Sequence, residues 1–290
     1  MTFRKIVLFF TVSCSIVCSC NRLEQEPVKV NKEDDSEYEV IRQWFEYLCS
    51  KQLNGRYSGS SGIQQAADYI SSVIDDSDHL SRVVFERNSI TFENLIYEVK
   101  GQSDSVIVFG AHYDAYGFAN HSPLPGADDN ISGVAVLLNA IKKLKAMQEE
   151  PKFGCLFCFY DGEEIGRYGS KYFVATNRTP IKLYVNVDTC GSEHDYDLTL
   201  SYNSAFPKLL EEYASLSNAI GALPIMEYAP LGYTTDCEPF IKARIPFIAI
   251  GPLKIPHYLH SSKDDISHIS LLRIDTVSSA IVSLIIRKWN

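Results

Sequence analysis

Five side chains that can bind a metal ion lie just beyond apolar, strand-like segments of the chain. They are two imidazoles and three carboxylates: His112, Asp129, Glu164, Asp188 and His260. Two tetrahedral Zn²⁺ sites that share one bridging carboxylate need one imidazole and one further carboxylate each, with a position left for water. The five residues match that requirement. A further acid, Glu163, lies beside Glu164, so the set predicts the chemistry of a two-metal hydrolase.

The segment His112-Tyr113-Asp114 places an imidazole and a carboxylate two residues apart, on the same side of an extended chain. We predict that Asp114 accepts the second ring N–H of His112, which would orient the ring and raise its basicity as a metal ligand. A hydrogen-bonded structural histidine at the end of a strand would give the same local pattern.

The segment GADDNISG (126–133) combines a turn, two adjacent acids and the start of a helix. Asp129 is the candidate bridging ligand, and Asp128 cannot point to the same side of the chain. The alternative is that Asp129 or Asn130 only caps the helix, which is the usual role of such residues.

Glu163 and Glu164 follow the segment CLFCFYDG (155–162). Consecutive acids on an extended stretch point in different directions, so Glu164 can bind metal while Glu163 accepts a proton from water. A solvated acidic turn is the alternative. Asp188 follows the segment LYVNV, and His260 lies within YLHSSKDD (258–265).

Apolar segments with strand and helix character alternate along the chain. The sequence predicts strands at 95–99, 105–111, 155–160, 182–187 and 245–250. It predicts helices near 63–74, 131–147, 165–175, 206–217 and 274–287. This alternation indicates one α/β domain whose mixed, mostly parallel central sheet has helices on both faces. Because neighbouring strands of such a sheet end at one crevice, residues distant in sequence should meet there.

The composition is that of a globular protein, with 46% hydrophobic and 22% charged residues in 290. The net charge of −9 argues against a nucleic acid partner. Cys155 and Cys158 have the spacing of a zinc ribbon. Residues three apart in a strand face opposite sides, however, so buried thiols are expected.

The first 19 residues have the features of an export signal. Arg4 and Lys5 precede the apolar segment Ile6 to Val17, whose 12 residues are too few to span a bilayer. The segment VCSCN (17–21) resembles the lipobox of bacterial lipoproteins. Cys20 is therefore the candidate site of a lipid anchor. This predicts an exported protein of the cell envelope that is attached to a membrane. A plain cleaved signal peptide is the alternative. We predict a polar tether at 20–37 and a catalytic domain at 38–290.

Five separated motifs resemble the co-catalytic di-zinc aminopeptidases of metallopeptidase family twenty-eight. They are AHYD (111–114), PGADDNISG (125–133), DGEEIGRYGS (161–170), NVD (186–188) and LHSSKDD (259–265). The segment GRYSGSSG (55–62) is similar to the family's N-terminal pattern. The resemblance covers roughly residues 40–290 and implies the zinc-aminopeptidase fold, which is phosphorylase/hydrolase-like.

The resemblance also implies a role for each candidate residue. The two Zn²⁺ sites would be His112 with Asp188 and Glu164 with His260, bridged by Asp129. Glu163 would be the general base and Asp114 the partner of His112. The segment TDCEPF (235–240) departs from the family, which often has a histidine at the position of Cys237. That departure leaves the metal ligands intact and changes the contacts near them.

The activity implied is that of an exported zinc aminopeptidase, which hydrolyses N-terminal residues from peptides through a metal-bridging water and a glutamate base. One alternative is a glutaminyl cyclase, which shares the fold and uses a single zinc. Cyclases typically have tryptophan near the metal, whereas Trp44 and Trp289 are beside no motif. The other alternative is a non-catalytic receptor-like domain, but such relatives lose ligands that this chain keeps.

Overall fold

The computed structural model describes residues 32–119, 122–147, 150–192, 198–202, 210–221, 223–227 and 235–287. The α-helices in these ranges are α1 (Lys32–Leu48), α2 (Ser61–Ile74), α3 (Ser132–Ala146), α4 (Tyr168–Thr176), α5 (Leu210–Ile220), α6 (Cys237–Lys242) and α7 (Leu271–Ile286). The strands are β1 (Leu80–Arg87), β2 (Ile90–Val99), β3 (Ser103–His112), β4 (Phe118–Ala119), β5 (Ser122–Pro123), β6 (Phe153–Tyr160), β7 (Ile181–Val187), β8 (Leu198–Tyr202), β9 (Leu223–Glu227) and β10 (Phe247–Pro252). Other helical turns cover Lys51–Arg56, Ala127–Ile131 and Ile266–His268.

Eight of these strands form one sheet in the order β1-β2-β6-β3-β7-β10-β8-β9. Strands β4 and β5 form a separate antiparallel pair. The central strands β6, β3, β7 and β10 are parallel neighbours. Strands β1, β2 and β8 add antiparallel pairings on either side of this centre, and β9 runs parallel to β8. The predicted α/β fold, with a mixed sheet and a parallel centre, is confirmed.

Helices cover both faces of the sheet, and each face has its own apolar core. The larger cluster packs α1, α2, α3, α5 and α7 against one face, and the smaller cluster packs α4 and α6 against the other. Cys155 belongs to the larger cluster and Cys158 to the smaller one. Both thiols are free, and burial raises the pKa of each. The predicted buried thiols are therefore confirmed.

Serine hydroxyl groups cap the first turn of two helices that pack in the larger cluster. The hydroxyl of Ser60 accepts a hydrogen bond from the N–H of Ile63 at the start of α2. Ser270 does the same for Arg273 in α7. Each bond satisfies one of the backbone donors that a helix leaves unpaired at its first turn. These bonds help to fix where the two helices start.

The structure differs from the sequence-based prediction at the edges of the fold. Helix α1 begins at Lys32, within the range predicted to be a polar tether, because its later turns bury Trp44 and Phe45 in the core. Strands β1, β8 and β9 were not predicted. Strand β1 is mostly exposed and joins β2 through Asn88 and Ser89, both at positive φ. Such an edge strand shows little of the apolar periodicity on which the prediction depended.

Two helix boundaries also differ from the prediction. The helix expected at 165–175 begins only at Tyr168, because Gly166 and Arg167 have φ values of 137° and 58°. The helix expected at 206–217 is α5, and 206–209 lie outside the described residues. The predicted leader and the anchor residue Cys20 lie outside them too. Among the helices that are described, none combines the length and apolarity needed to cross a bilayer.

Candidate metal centre

The candidate ligands meet at one edge of the sheet, where the four central parallel strands end. His112 is the last residue of β3, Asp188 follows β7, and Glu164 lies just beyond β6. His260 follows β10 after a loop, and Asp129 lies between β3 and α3. Because β6, β3, β7 and β10 are neighbours, their carboxyl ends face one crevice. The structure therefore brings all five residues together, as expected from the architecture.

These residues form two groups that share Asp129. In the first group, Nε2 of His112 lies 3.1 Å from Oδ1 of Asp129 and 3.6 Å from Oδ1 of Asp188. In the second, Nε2 of His260 lies 3.0 Å from Oδ2 of Asp129 and 3.4 Å from Oε2 of Glu164. The donor atoms of each group lie within 4.8 Å of one another. The two oxygens of Asp129 thus face different imidazoles, which is the arrangement that a bridging carboxylate needs.

The helix cap at this site is supplied by Asn130 and not by Asp129. The side-chain oxygen of Asn130 accepts the N–H of Gly133 at 3.0 Å, at the start of α3. Its amide donates to the main-chain oxygen of Val187 at 2.9 Å, which ties the turn to the end of β7. Capping and metal binding therefore do not compete for one side chain. The carboxylate of Asp129 remains directed at the two histidines.

Asp128 points away from the histidines. Its carboxylate accepts the N–H of Gly191 and the hydroxyl of Tyr258, both at 2.8 Å. Burial raises the pKa of Asp128 to about 6, against the effect of these hydrogen bonds. The two adjacent acids of the motif thus have separate environments, as their positions in the chain predicted.

Asp114 connects the end of β3 with the loop that carries the two glutamates. Its Oδ1 accepts the N–H of Glu163 at 3.1 Å, and its Oδ2 accepts the N–H of Glu164 at 3.2 Å. Nδ1 of His112 lies 3.2 Å from the main-chain oxygen of Asp114 and 3.5 Å from its Oδ1. The main-chain oxygen is therefore the nearer acceptor for the ring. The carboxylate also holds the two glutamates in place, a role that sequence reasoning missed.

Asp264 has an equivalent role on the His260 side. Its two carboxylate oxygens accept the N–H groups of Asp128 at 2.7 Å and Asp129 at 3.2 Å. Its main-chain oxygen accepts the N–H of Ala127 at 3.1 Å. The loop of one candidate ligand is thereby tied to the loop of another. Sequence analysis did not single out Asp264, although the paired acids in LHSSKDD were a signal for it.

The carboxylates stabilise positive charge at both imidazoles of the site. Burial raises the pKa of Glu164 to about 7, and the charge of Asp129 adds to this effect. Contacts with Asp129 and Glu164 raise the pKa of His260 to about 11. Burial lowers the pKa of His112, but contacts with three aspartates outweigh it and raise that pKa. The carboxylates therefore favour positive charge at both imidazoles, as they would favour it on bound metal ions, so the donor set fits two divalent cations.

Two further acids, Glu163 and Asp236, interact electrostatically with the site. Burial raises the pKa of Glu163 well above its ordinary value. His112 opposes that shift, and Asp236 adds to it. A carboxylate whose pKa is raised is a stronger base than an ordinary glutamate and accepts a proton from water more readily. Asp236 is itself buried, and burial raises its pKa to about 7. Beside it, Cys237 is packed in the smaller apolar core, so its thiol is part of the packing of α6.

Arg56 is a buried residue that sequence analysis did not identify. Its guanidinium donates to the main-chain oxygens of Leu48, Tyr113, Pro125 and Gly126. These acceptors belong to α1 and to the segments that carry His112 and Asp129, so one cation joins three parts of the chain. The signal in the sequence was the segment GRYSGSSG, which contains this arginine.

Comparison with known proteins gives one family match. The model of peptidase family M28 matches residues 94–285. A probable leucine aminopeptidase from Arthroderma otae is 29% identical over 242 residues, which are 75% of this chain and 63% of that protein. The chain therefore spans less than two thirds of the length of this curated relative.

Solved structures share the fold at low sequence identity. A glutaminyl cyclase from Bacteroides thetaiotaomicron is 18% identical with a TM-score of 0.72, and the match covers 88% of this chain and 98% of that one. A Zn-dependent exopeptidase from Parabacteroides distasonis is 16% identical with a TM-score of 0.69 and the same coverage of both chains. These likenesses show the fold.

Proposed function

The chain belongs to peptidase family M28, and we propose that it is a zinc-dependent aminopeptidase that removes N-terminal residues from peptides. The observation that carries this proposal is the sharing of Asp129 between two groups, each with one imidazole and one further carboxylate. Family membership supports the class of hydrolase. The names of the Arthroderma otae relative and of the Parabacteroides distasonis structure support the exopeptidase activity and the choice of zinc.

The five candidate ligands divide between two Zn²⁺ ions. His112 and Asp188 would hold one ion, Glu164 and His260 the other, and Asp129 would contact both. When bound, the ions supply Lewis-acid activation of a water molecule and of the scissile carbonyl group. The remaining residues orient these ligands. The carboxylate of Asp114 accepts the N–H groups of both Glu163 and Glu164 and so fixes the backbone of both residues. Their side chains, the proposed base and the proposed ligand, can therefore point in different directions.

Glu163 is the group that moves the proton. As the water oxygen bonds to the carbonyl carbon, the carboxylate of Glu163 accepts one proton from that water. It then delivers the proton to the nitrogen of the leaving peptide while the C–N bond breaks. One water is consumed, and one amino acid and one shortened peptide are released. Burial raises the pKa of Glu163, which makes its carboxylate a stronger base for the first half of this transfer.

A glutaminyl cyclase is the second candidate, because a solved cyclase shares the fold with a TM-score of 0.72. The donor set favours the peptidase, since a cyclase uses one zinc and the structure presents two groups of ligands. Trp44 belongs to α1 and is buried in the larger apolar core, where it lies beside Tyr69, Val73 and Ile141 and not beside the candidate ligands. The tryptophan that typically lies near a cyclase metal therefore has no counterpart in Trp44.

Product analysis separates the two activities. We expect the zinc-loaded protein to release free amino acids from a panel of aminoacyl amides and short peptides. An N-terminal glutaminyl peptide should yield free glutamine and no pyroglutamate. Pyroglutamate formation without release of amino acids would replace the peptidase proposal with the cyclase.

Substitution of the two glutamates tests their separate roles. Glu163→Gln should lower kcat by about 10² to 10⁴ and keep the zinc content, because the amide keeps the shape but cannot accept the proton. Glu164→Gln should lose zinc as well, since a neutral oxygen replaces a charged ligand. Measurements of zinc content and kcat for both variants test these two roles. Near-normal kcat in zinc-loaded Glu163→Gln, or equal zinc loss in both variants, would contradict the assignment.

A further inference from the structure

The exposed aromatic residues of the described chain lie together beside the candidate metal centre. Eight large hydrophobic side chains are exposed in the described ranges, and the three aromatic ones are Tyr57 (38%), Tyr116 (52%) and Phe118 (47%). A Cβ placed on Gly117 would lie 2.9 Å from the ring of Tyr57, so that ring packs against the segment between Tyr116 and Phe118. We call these three residues the aromatic rim.

The aromatic rim is continuous with the metal centre. The ring of Tyr116 stacks on the imidazole of His260, with 4.6 Å between centroids and 20° between planes. Tyr116 also lines a small cavity together with Asp129, Glu164 and His260. A molecule bound at the second ligand group would therefore extend directly onto the rim.

The backbone around the rim is held from two sides. The N–H of Ala115 donates to the main-chain oxygen of Arg56 at 3.3 Å, and the N–H of Leu124 donates to that of Gly117 at 2.8 Å. A Cβ on Gly55 would lie 2.1 Å from the oxygen of Gly117, so the two segments approach closely. The aromatic groups are thus exposed on a supported loop, which lowers the entropy cost of binding to them.

The site has a closed side and an open side. The side chain of His112 is 2% exposed, and Asp236 is buried near it, whereas the side chain of His260 is 48% exposed. An exopeptidase must enclose the terminal residue and let the rest of the peptide leave towards solvent. The residue after the scissile bond therefore passes His260 and reaches the aromatic rim.

The geometry points to the aromatic rim as a subsite for an apolar or aromatic residue at the second position of the peptide substrate. This inference rests on the aminopeptidase activity proposed above. The rim carries no charge, and aromatic side chains gain from stacking as well as from burial. The preferred substrates are therefore peptides whose second residue is apolar, above all aromatic.

The test compares Leu-Phe-Gly, Leu-Gly-Gly and leucinamide as substrates of the zinc-loaded protein. We expect kcat/KM for Leu-Phe-Gly to exceed that for Leu-Gly-Gly by about tenfold. Phe118→Ala should remove most of this preference while zinc content and kcat/KM for leucinamide, which has no second residue, stay within about twofold of wild type. Tyr116→Ala should remove it too. Val84→Ala, at a 61% exposed position on edge strand β1, is the matched control and should keep it.

The outcomes are separable. Equal kcat/KM for the two tripeptides in the wild type would overturn the subsite, as would a loss in Phe118→Ala that is the same for all three substrates. Release of leucine in those cases would leave the aminopeptidase proposal standing. Absence of leucine release from every substrate would remove both. A loss of preference in Tyr116→Ala but not in Phe118→Ala would also overturn the subsite, and zinc loss in that variant would show that the ring supports His260 instead.

Discussion

Replacing Asp264 by asparagine should weaken zinc binding by a predictable amount. In the native chain both carboxylate oxygens of Asp264 accept backbone N–H groups. The donors are Asp128, at 2.7 Å, and the bridging candidate Asp129, at 3.2 Å. An amide keeps one acceptor oxygen and turns an NH₂ group towards the other N–H. The turn that presents Asp129 must then shift or lose a hydrogen bond.

The magnitude follows from the role of Asp264 as a support for ligands. Loss of a group that orients a metal ligand typically lowers metal affinity by about 10- to 100-fold. That range equals about 1.4 to 2.8 kcal/mol. Because Asp129 contacts both ligand groups, we expect both zinc affinities to fall. Because the effects of two bound ions add, the protein saturated with zinc should lose about 2.8 to 5.6 kcal/mol of stability through linkage.

The metal-free protein should respond differently to the same substitution. Burial, the first cause, and the charges of Asp129 and Asp128 raise the pKa of Asp264 from 3.8 to about 8. An acid whose pKa is raised in the folded state destabilises the fold as pH rises from about 4 to about 8, because the unfolded chain ionises first. Asparagine has no such titration. Asp264→Asn should therefore cost little stability without metal, and least near pH 8.

The assay is a competitive zinc titration with a chromogenic chelator at pH 7.5, followed by urea unfolding with and without zinc. Asp265→Asn is the matched control, since it makes the same substitution at the adjacent residue, whose side chain accepts hydrogen bonds from Ser267 in the short helix at Ile266–His268. Wild-type zinc affinities in Asp264→Asn would refute the reasoning. An equal loss in Asp265→Asn would do the same, because it would show a general charge effect.

Three other predictions concern the whole chain. Protein reconstituted with zinc and freed of excess should contain about two ions per chain by metal analysis, and a fully active protein with one ion would contradict the two-metal proposal. Cys20→Ser should move the protein from the membrane to the soluble fraction, because a lipid chain contributes roughly 0.8 kcal/mol per buried CH₂. Unchanged membrane association would contradict the proposed anchor. Hydrogen bonds from Lys242 and Arg167 lower the pKa of Glu238 to about 2. Its stabilising effect is therefore present above pH 4.5 and lost as pH falls towards 2. Glu238→Gln should cost about 1 kcal/mol in urea unfolding at pH 7 and almost nothing at pH 2, and a cost independent of pH would exclude an ionic origin.

The parallel centre of the fold was predictable because its signals are local. Strands β3, β6, β7 and β10 are buried on both faces and appear in the sequence as continuous apolar segments. Strand β1 could not be found in this way, since an edge strand buries little and alternates weakly. Helix α1 was not predicted either, because its first turn is polar and the apolar contacts that hold the helix come later in the chain.

The candidate ligands were also predictable, because their residue types and their positions after strands are properties of the sequence. The supporting residues were not. Asp114 was expected to hold a histidine, yet its carboxylate accepts the N–H groups of two glutamates 49 and 50 residues away. Arg56 reaches main-chain oxygens 57, 69 and 70 residues away. Nothing in a local pattern indicates which distant backbone group a buried charge will bind.

The sequence by itself determined the chemistry available to this protein: two imidazoles, three carboxylates that could bind metal and a neighbouring acid that could act as a base, placed after strands of an α/β sheet. Side-chain type and strand periodicity are properties of residues that are close in sequence, so they can be identified without coordinates. Only the tertiary structure decided that Asn130 caps the helix while Asp129 faces both histidines, and that His260 lies on the open side beside Tyr116. Those outcomes depend on which groups are desolvated together and on contacts between residues far apart in sequence, and both are set when the chain packs.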